Sequence, residues 1–428
     1  MTIRMDEGAA ELLDTLHRAG YAAYVVGGCV RDSLLGLTPH DWDLCTSALP
    51  QQGMELFGAE KCIPTGLQHG TVTVKQGGGL YEITTFRTEG AYTDGRHPDE
   101  VHFVPDVRED LARRDFTINA MAYNAKEGLI DPFGGQADLQ SGILRAVGVP
   151  RQRFTEDALR ILRLYRFAAR FGFAIDPPTA QAAQELCAHL DCVSVERIEE
   201  ELAKLLSAPA PAAYLDEKIL GVVLPELSPE ALAAAKPVVD ACPAGERALP
   251  VRLAALLLSL GEDGTRRTLR RLRCSNACIE ETAVLVREAV PGVPVSLNIY
   301  ARRLLGKYNL CTVQRLAALG TALQPEHAAD FAALSELAEQ LDADGVCCRV
   351  SQLAVNGRDL MAAGVPAGPG IRKVLEALLD GVIREEYPNE RQALLAAVQQ
   401  LAAPRQALFS ELLLYSCFSV LNAPKENL

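Results

Sequence analysis

Two constellations in this 428-residue chain could do chemistry. The first is Gly27-Gly28, then Arg31-Asp32, then Asp41 and Asp43. Residues 21–26 read as a strand entering the glycine turn, a short helix leaves the turn and closes by Gly36, and residues 41–46 read as a second strand. Positions i and i+2 of a strand share a face, so both carboxylates point one way and Trp42 the other. Two carboxylates on one face suit Mg²⁺, which takes oxygen ligands and shares its coordination sphere with substrate phosphates. Paired glycines let backbone N–H groups approach a triphosphate, and Arg31 adds a charge-assisted contact. Together they point to nucleotidyl transfer from a nucleoside triphosphate. Asp32 either orients Arg31 or touches substrate. Glu82, on a nearby strand, reads as a salt-bridging or edge residue rather than a third metal ligand.

The second constellation is Glu156-Asp157-x-x-Arg160-x-x-Arg163-x-x-Arg166, with Arg170 beyond it. On one continuous helix the four arginines span a face roughly 120° wide, and Ala158, Ile161, Leu162, Leu164, Tyr165 and Ala168 fill the opposite, core-facing side. Like charges at i, i+3 destabilise a helix, so four arginines without interleaved acids read as waiting for phosphates or bases. Asp157 and Arg160 support a sharper reading. Cytosine and adenine both present an amino donor beside a ring-nitrogen acceptor, which a carboxylate and a guanidinium can satisfy. Guanine and uracil present the reverse order and would leave both protein groups unpaired. One Asp/Arg pair could thus accept CTP and ATP and reject GTP and UTP.

The elements that must hold these residues follow from the pattern. Residues 6–18 read as an amphipathic helix ending at Gly20. Strands are expected at about 70–76 and 80–87, joined through Gly77-Gly78-Gly79. Residues 88–100, with Arg96, read as a loop able to act as a lever, and Asp110 reads as lying on a solvated helix. Up to about residue 150 the pattern is mixed α/β, and beyond it almost wholly helical. The fold class expected is α+β, a mixed sheet with helices followed by an all-α remainder.

Composition narrows the function classes. Net charge is −13, against non-specific nucleic-acid binding, yet seven arginines stand against two acids between Leu144 and Arg170. A further basic cluster spans 265–273, and the stripes suggest RNA held along one surface. The twelve cysteines form no CxxC and no Cys/His cluster, and read as free thiols of a reducing compartment. The N-terminal residues lack an apolar signal core, and no apolar run is long enough for a membrane span, so a soluble, cytoplasmic protein is expected. No feature calls for an obligate protein partner.

The order of strand, Gly-Gly, Arg, short helix and Asp-x-Asp resembles the opening of the DNA polymerase β nucleotidyltransferase superfamily. Arg113-Arg114-Asp115-Phe-Thr-Ile-Asn119, Asp131-Pro-Phe-Gly-Gly135, the arginine helix and Ser194-Val-Glu196-Arg197-Ile extend this. Over nearly its whole length the chain resembles class II tRNA nucleotidyltransferases, the CCA-adding enzymes. The resemblance implies a polymerase-β-like nucleotidyltransferase head over residues 1–150, a neck with the nucleotide-template helix over 151–210, a helical body over 211–340 and a tRNA-binding tail over 341–428. It implies catalytic and metal roles for Asp41 and Asp43 with Mg²⁺, and triphosphate contacts from Gly27, Gly28 and Arg31. Arg114 and Asp115 are implied to serve nucleotide phosphate and ribose, Asp157 and Arg160 to read the base, and Arg163 and Arg166 to support the nucleotide. The implied partners are the tRNA 3′ end, CTP and ATP. A bacterial poly(A) polymerase shares the head motifs and is the nearest alternative, and a non-catalytic RNA-binding relative is another.

Overall fold

Hydrophobic alternation and glycine turns make the first part of the chain a sheet, and Leu/Ala-rich amphipathic segments make the rest helical. The computed structural model describes residues 3–90, 101–289 and 296–399. Two compact units result, Met1–Arg287 and Glu288–Leu428.

In the first unit α1 (Glu7–Arg18) is capped by Asp6, whose carboxylate accepts from Gly8 N at 3.0 Å. Then come β1 (Ala23–Val26), α2 (Gly28–Leu34), β2 (Leu44–Thr46), α3 (Pro50–Phe57), β3 (Cys62–Gly66), β4 (Thr71–Gln76) and β5 (Gly79–Thr85). Gly77 and Gly78 carry φ of 57° and 85°, the two-residue turn that matches strand twist between β4 and β5. β6 (Arg87–Glu89) and β7 (Val101–Phe103) pair as a separate ribbon. Residues 91–100, which include Arg96 of the expected lever, lie outside the described residues. α4 (Val107–Ala112), β8 (Ala122–Asn124), β9 (Gly128–Ile130) and α5 (Gly135–Ser141) follow. The main sheet has the order β3-β4-β5-β2-β1-β8-β9; β2 and β5 run parallel and the other neighbours antiparallel. All four residues of β1 are buried, and Tyr24, Val26, Cys45, Phe86, Leu111 and Ala122 form a core against α4. The fold is the α+β arrangement expected.

The helices of the same unit are α6 (Pro150–Glu156), α7 (Leu159–Phe171), α8 (Pro177–Leu186), α9 (Val195–Leu206), α10 (Glu217–Val223), α11 (Pro229–Ala241), α12 (Leu249–Leu257), α13 (Gly261–Arg271) and α14 (Asn276–Glu288). The single helix expected across 156–170 is in fact two. Asp157 is extended (φ −145°, ψ 104°) and its carboxylate accepts from Leu159 N at 3.1 Å. An aspartate that offers its side chain to a free N–H competes with helix continuation and restarts the helix instead. The apolar side of α7 is buried as expected, including Ile161, Leu162, Leu164, Tyr165 and Ala168.

The second unit contains α15 (Leu297–Lys307), α16 (Leu310–Leu323), α17 (Ala328–Ala343), α18 (Gly357–Ala362) and α19 (Gly370–Ile383). Asn356 and Asp359 cap α18 reciprocally, and Leu353, Val355, Leu360, Leu378 and Leu394 pack beneath it. No described helix is long and apolar enough to cross a membrane. The described cysteines are all free thiols.

One buried cation ties the helical layer together. Arg252 of α12 is fully buried, and its guanidinium donates to the carbonyls of Pro243 (2.7 Å), Cys242 (3.1 Å) and Pro209 (3.3 Å), and also to Leu206 and Ala208. These carbonyls end α9 and α11, where helices leave acceptors unpaired. Arg252→Leu keeps the bulk and strands several acceptors, so a loss of about 3 kcal/mol or more is expected. Urea denaturation checks this; a change under about 1 kcal/mol would mean that water replaces the guanidinium at little cost.

Candidate active site

Gly27 ends β1 with φ +80° and starts α2. Its N–H donates to Met121 O at 3.1 Å and its carbonyl accepts from Arg31 N at 3.1 Å, so the turn is held at both ends. A Cβ on Gly27 would meet Arg114 Nη1 at 2.7 Å, so only glycine fits there without moving that arginine.

Asp41 and Asp43 precede β2 and do not lie within it, as the strand starts at Leu44. The ladder nonetheless reaches Asp43, whose carbonyl accepts from Val26 N at 2.9 Å. The neighbouring parallel strand pairs Leu44 with Ile83, which sets Glu82 beside Asp43. The Asp43 side chain is exposed, yet the protein around it withholds part of its hydration and raises its pKa; Arg114 opposes the rise, and the charges of Glu82 and Asp41 add to it. A carboxylate group that repels itself in this way gains by taking up a cation. The donors are hard carboxylate oxygens, the kind that hard divalent cations take; among the described residues no group of three or more His, Cys, Asp or Glu is arranged to hold a metal ion. On sequence Glu82 reads as a salt-bridging or edge residue, and its register beside Asp43 cannot be read from its own strand.

Arg31 is 4% exposed, below the glycine turn. Its Nε donates to Asp32 Oδ1 at 2.8 Å and its Nη1 to Asn119 Oδ1 at 2.5 Å, and it faces the rings of Phe167 and Phe171. Asp32 therefore orients Arg31, and Arg31 underlies the turn instead of projecting into the open site. Asp110 corrects a second expectation: it is fully buried, and its carboxylate accepts from Arg113 Nη2 at 2.9 Å and Arg87 N at 3.3 Å and lies 3.6 Å from Arg114 Nη2.

A cavity of about 280 Å³ is lined by Arg113, Arg114, Asp115, Asp157, Leu159, Arg160, Arg163 and Arg197. A larger one, about 580 Å³, opens at the N-terminal end of α4, between Tyr24, Asp106, Glu127 and Asp131. There Asp106 and Asp131 are occupied capping helices and Glu127 accepts from the Tyr24 hydroxyl at 2.8 Å. The smaller cavity has the matched charges. Asp157 accepts from Arg197 Nη2 at 2.8 Å. Arg160 donates to Glu156 Oε2 at 2.8 Å and to Arg113 O at 3.1 Å. Arg163 Nε donates to Asp115 Oδ2 at 2.9 Å. Burial works against both members of that last pair, yet Arg163 holds the Asp115 carboxyl well below the usual range and Asp115 holds the Arg163 pKa up. Arg166 does not line the cavity: it is 9% exposed, bonds Glu201 of α9 and stacks on Phe167 at 3.8 Å.

The arginines thus differ from the unpaired stripe expected. Arg145, Arg151, Arg153, Arg160, Arg163, Arg166 and Arg170 each meet a carboxylate. The partners of the last three, Asp115, Glu201 and Asp32, come from distant parts of the chain. Arg197 belongs to the Ser194-Val-Glu196-Arg197-Ile motif, and Glu201 lies one turn further along α9; neither receives a role from sequence.

The Asp115–Arg163 pair has a pH signature. A depressed folded-state pKa adds stability that is complete above the unfolded value, near about 3.9, and lost as pH falls through it toward the folded value. Asp115→Asn should cost about 3 kcal/mol at neutral pH by leaving Arg163 short of a partner. The difference from the parent chain should shrink below about pH 4, where the parent loses the same contribution. Denaturation at the two pH values tests this; an equal difference at both would remove the ion pair from the explanation.

Three family models match in sequence: the poly A polymerase head domain over residues 23–145, a probable RNA- and SrmB-binding site of polymerase A over 172–230, and tRNA nucleotidyltransferase domain 2 over 251–398. A CCA-adding enzyme of Lactiplantibacillus plantarum is 38% identical over 406 residues, 92% of this chain and 96% of the relative. One of Geobacillus stearothermophilus is 36% identical over 407 residues, 93% of this chain and 98% of the relative. Among solved structures, the Bacillus stearothermophilus CCA-adding enzyme in complex with CTP superimposes with a TM-score of 0.79 at 32% identity, covering 94% of this chain and all of that one. A Thermotoga maritima CCA-adding enzyme complexed with tRNA shares the fold at a TM-score of 0.61 and 22% identity, covering 92% of this chain and 94% of that one.

Proposed function

Since the chain belongs to the CCA-adding enzyme family of tRNA nucleotidyltransferases, we propose that it adds C, C and A to tRNA 3′ ends from CTP and ATP, without a nucleic-acid template and with release of pyrophosphate. The observation that carries this reading is the position of Arg114. It lines the cavity that holds Asp157 and Arg160, and it is the favourable charge acting on Asp43. A nucleotide whose base meets Asp157 and Arg160 would therefore have its phosphates near Arg114 and the Asp41/Asp43 carboxylates.

In this reading residues 1–150 are the transferase head, 151–210 the neck, 211–340 the body and 341–428 the tRNA-binding tail. Asp41 and Asp43 would hold a pair of divalent cations, Mg²⁺ by its oxygen preference. Bound there, one would lower the pKa of the attacking 3′-hydroxyl and the other would offset the charge of the departing pyrophosphate. Gly27 and Gly28 present backbone to the triphosphate, and Arg31 fixes the turn from beneath. Arg114 and Asp115 serve phosphate and ribose. Asp157 accepts from the base amine and Arg160 donates to the ring nitrogen, while Arg163 and Arg166 keep the wall of the cavity in place. Holding base and triphosphate in one orientation lowers the barrier without a reacting side chain.

An extension assay tests the proposal. Full-length protein, Mg²⁺ and tRNA lacking its 3′ end are given CTP alone, ATP alone, both, or GTP and UTP. Two additions with CTP alone and a third only with ATP are expected. Long adenosine tails from ATP alone would move the chain to poly(A) synthesis, and absence of any extension would remove the catalytic reading.

A further inference from the structure

Asn119 closes the short turn Thr117–Asn119 beyond α4. It is 6% exposed and does not line the cavity. Its Oδ1 accepts from Arg31 Nη1 at 2.5 Å, and its Nδ2 donates to Asp115 Oδ1 at 3.1 Å. Its backbone carbonyl lies 3.8 Å from where a Cβ on Gly27 would stand, so it sits against the glycine turn. A primary amide offers an acceptor to a cation and a donor to an anion at once, and the charges on either side fix which way this one points. We propose that Asn119 is a positioning residue that orients the Asp115 carboxylate for the nucleotide ribose, and so selects ribonucleoside over deoxyribonucleoside triphosphates. This role rests on the CCA-adding reading, in which Asp115 serves the ribose.

The Asp115 carboxylate is held from two sides. Oδ1 accepts from Phe116 N at 2.8 Å and from Asn119. Oδ2 accepts from Arg163 Nε at 2.9 Å and Nη2 at 2.6 Å. A carboxylate has about four lone-pair sites, so these donors fix its plane. Oδ1 is turned toward the backbone and Asn119, and Oδ2 toward Arg163, which lines the cavity. A ribose 2′-hydroxyl in the cavity therefore meets Oδ2 and shares it with Arg163. Against burial, Arg163 and then Asn119 hold this carboxyl ionised. An ionised carboxylate only accepts, which suits a hydroxyl and gains nothing from the C–H of a deoxyribose.

Removing the amide leaves no buried charge alone. Arg31 keeps Asp32 at 2.8 Å and its places against Phe167 and Phe171. Asp115 keeps Arg163 and Phe116 N. What goes is the inward hold on Oδ1. The carboxylate torsion of an aspartate is broad and soft, so the plane turns and the hydroxyl loses a fixed acceptor. Base reading is spared, because Asp157 and Arg160 are held by Arg197, Glu156 and the Arg113 carbonyl, outside this chain of contacts.

The test compares full-length parent, Asn119→Ala and Asn119→Ser in single-turnover extension with Mg²⁺ and tRNA lacking its 3′ end, given CTP, dCTP or UTP separately. In Asn119→Ala, kcat/KM for CTP should fall about tenfold while that for dCTP stays within about twofold. The preference for CTP over UTP should stay within about twofold, since both carry ribose. Asn119→Ser keeps one oxygen that both donates and accepts, and should lose less of the sugar preference. Each preference is a ratio read on one preparation, so a smaller folded fraction cancels. Equal losses with CTP and dCTP in both variants, complete loss included, would make Asn119 a structural support only and overturn its role. Calorimetric titration of the parent with CTP and dCTP separates the two failures. A parent that binds CTP better than dCTP yet extends no tRNA refutes the CCA-adding reading. A parent that adds C, with its sugar preference intact in Asn119→Ala, refutes the role of Asn119.

Discussion

Asp43→Asn is expected to lower nucleotide addition by about three orders of magnitude or more, with tRNA binding unchanged within about twofold. The substitution keeps the shape and removes one of the carboxylates gathered where the phosphates would lie. The expected stability change has the opposite sign. A carboxylate whose folded-state pKa is raised destabilises the fold once pH exceeds its ordinary value, because the folded protein must hold it charged with part of its hydration lost and beside Glu82 and Asp41. Its contribution is fully present below the unfolded pKa and is lost as pH rises through the folded one. The metal-free Asp43→Asn protein should therefore melt no lower than the parent at neutral pH. Differential scanning calorimetry beside the extension assay separates the two effects. An inactive variant that also melted well below the parent would indicate collapse of the β1–β2 junction instead of loss of a cation ligand.

Asp157→Ala is expected to reduce kcat/KM for CTP and ATP by about 10²–10³-fold and to narrow the gap to UTP and GTP. Both correct bases lose an acceptor for their amine, whereas both wrong bases lose the carboxylate that rejected their carbonyl. Arg197→Ala should move in the same direction by about tenfold, because Asp157 would remain but its 2.8 Å partner would be gone. Single-turnover incorporation of each of the four nucleotides measures this. If Asp157→Ala slowed all four equally, base selection would have to reside elsewhere on the cavity wall.

Much of this was legible in the residues. The shared spacing of Asp41 and Asp43 can be read from the residues, as can the turn at Gly77-Gly78-Gly79 between β4 and β5. The buried side of α7 followed from periodicity alone. What could not be read was long-range partnership. Arg163 and Arg166 look like a free basic face until Asp115 and Glu201 arrive from other elements. Asp110 looks solvated for the same reason, since the arginine pattern in its own segment does not say that it folds inward. The break at Asp157 was hidden because the three-residue arginine spacing reads as one continuous helix. A single capping hydrogen bond to Leu159 N decides otherwise.

The sheet order also bears on how the chain is made. β1 pairs on one side with β2, about twenty residues later in sequence, but on the other with β8, about a hundred residues later. A nascent chain emerging at about 5–20 residues per second would leave that second edge of β1 open for roughly 5–20 seconds. Later waits are shorter but come in sequence: Asp115 waits 48 residues for Arg163, and Arg166 a further 35 for Glu201. Asp41 and Asp43 are thus among the earliest residues synthesised, but the cavity lined by Asp115, Asp157, Arg163 and Arg197 can assemble only after α9 has left the ribosome. A ribosome that stalls between the two would display an apolar strand edge ready to pair with other chains, the period in which this protein has most need of a chaperone.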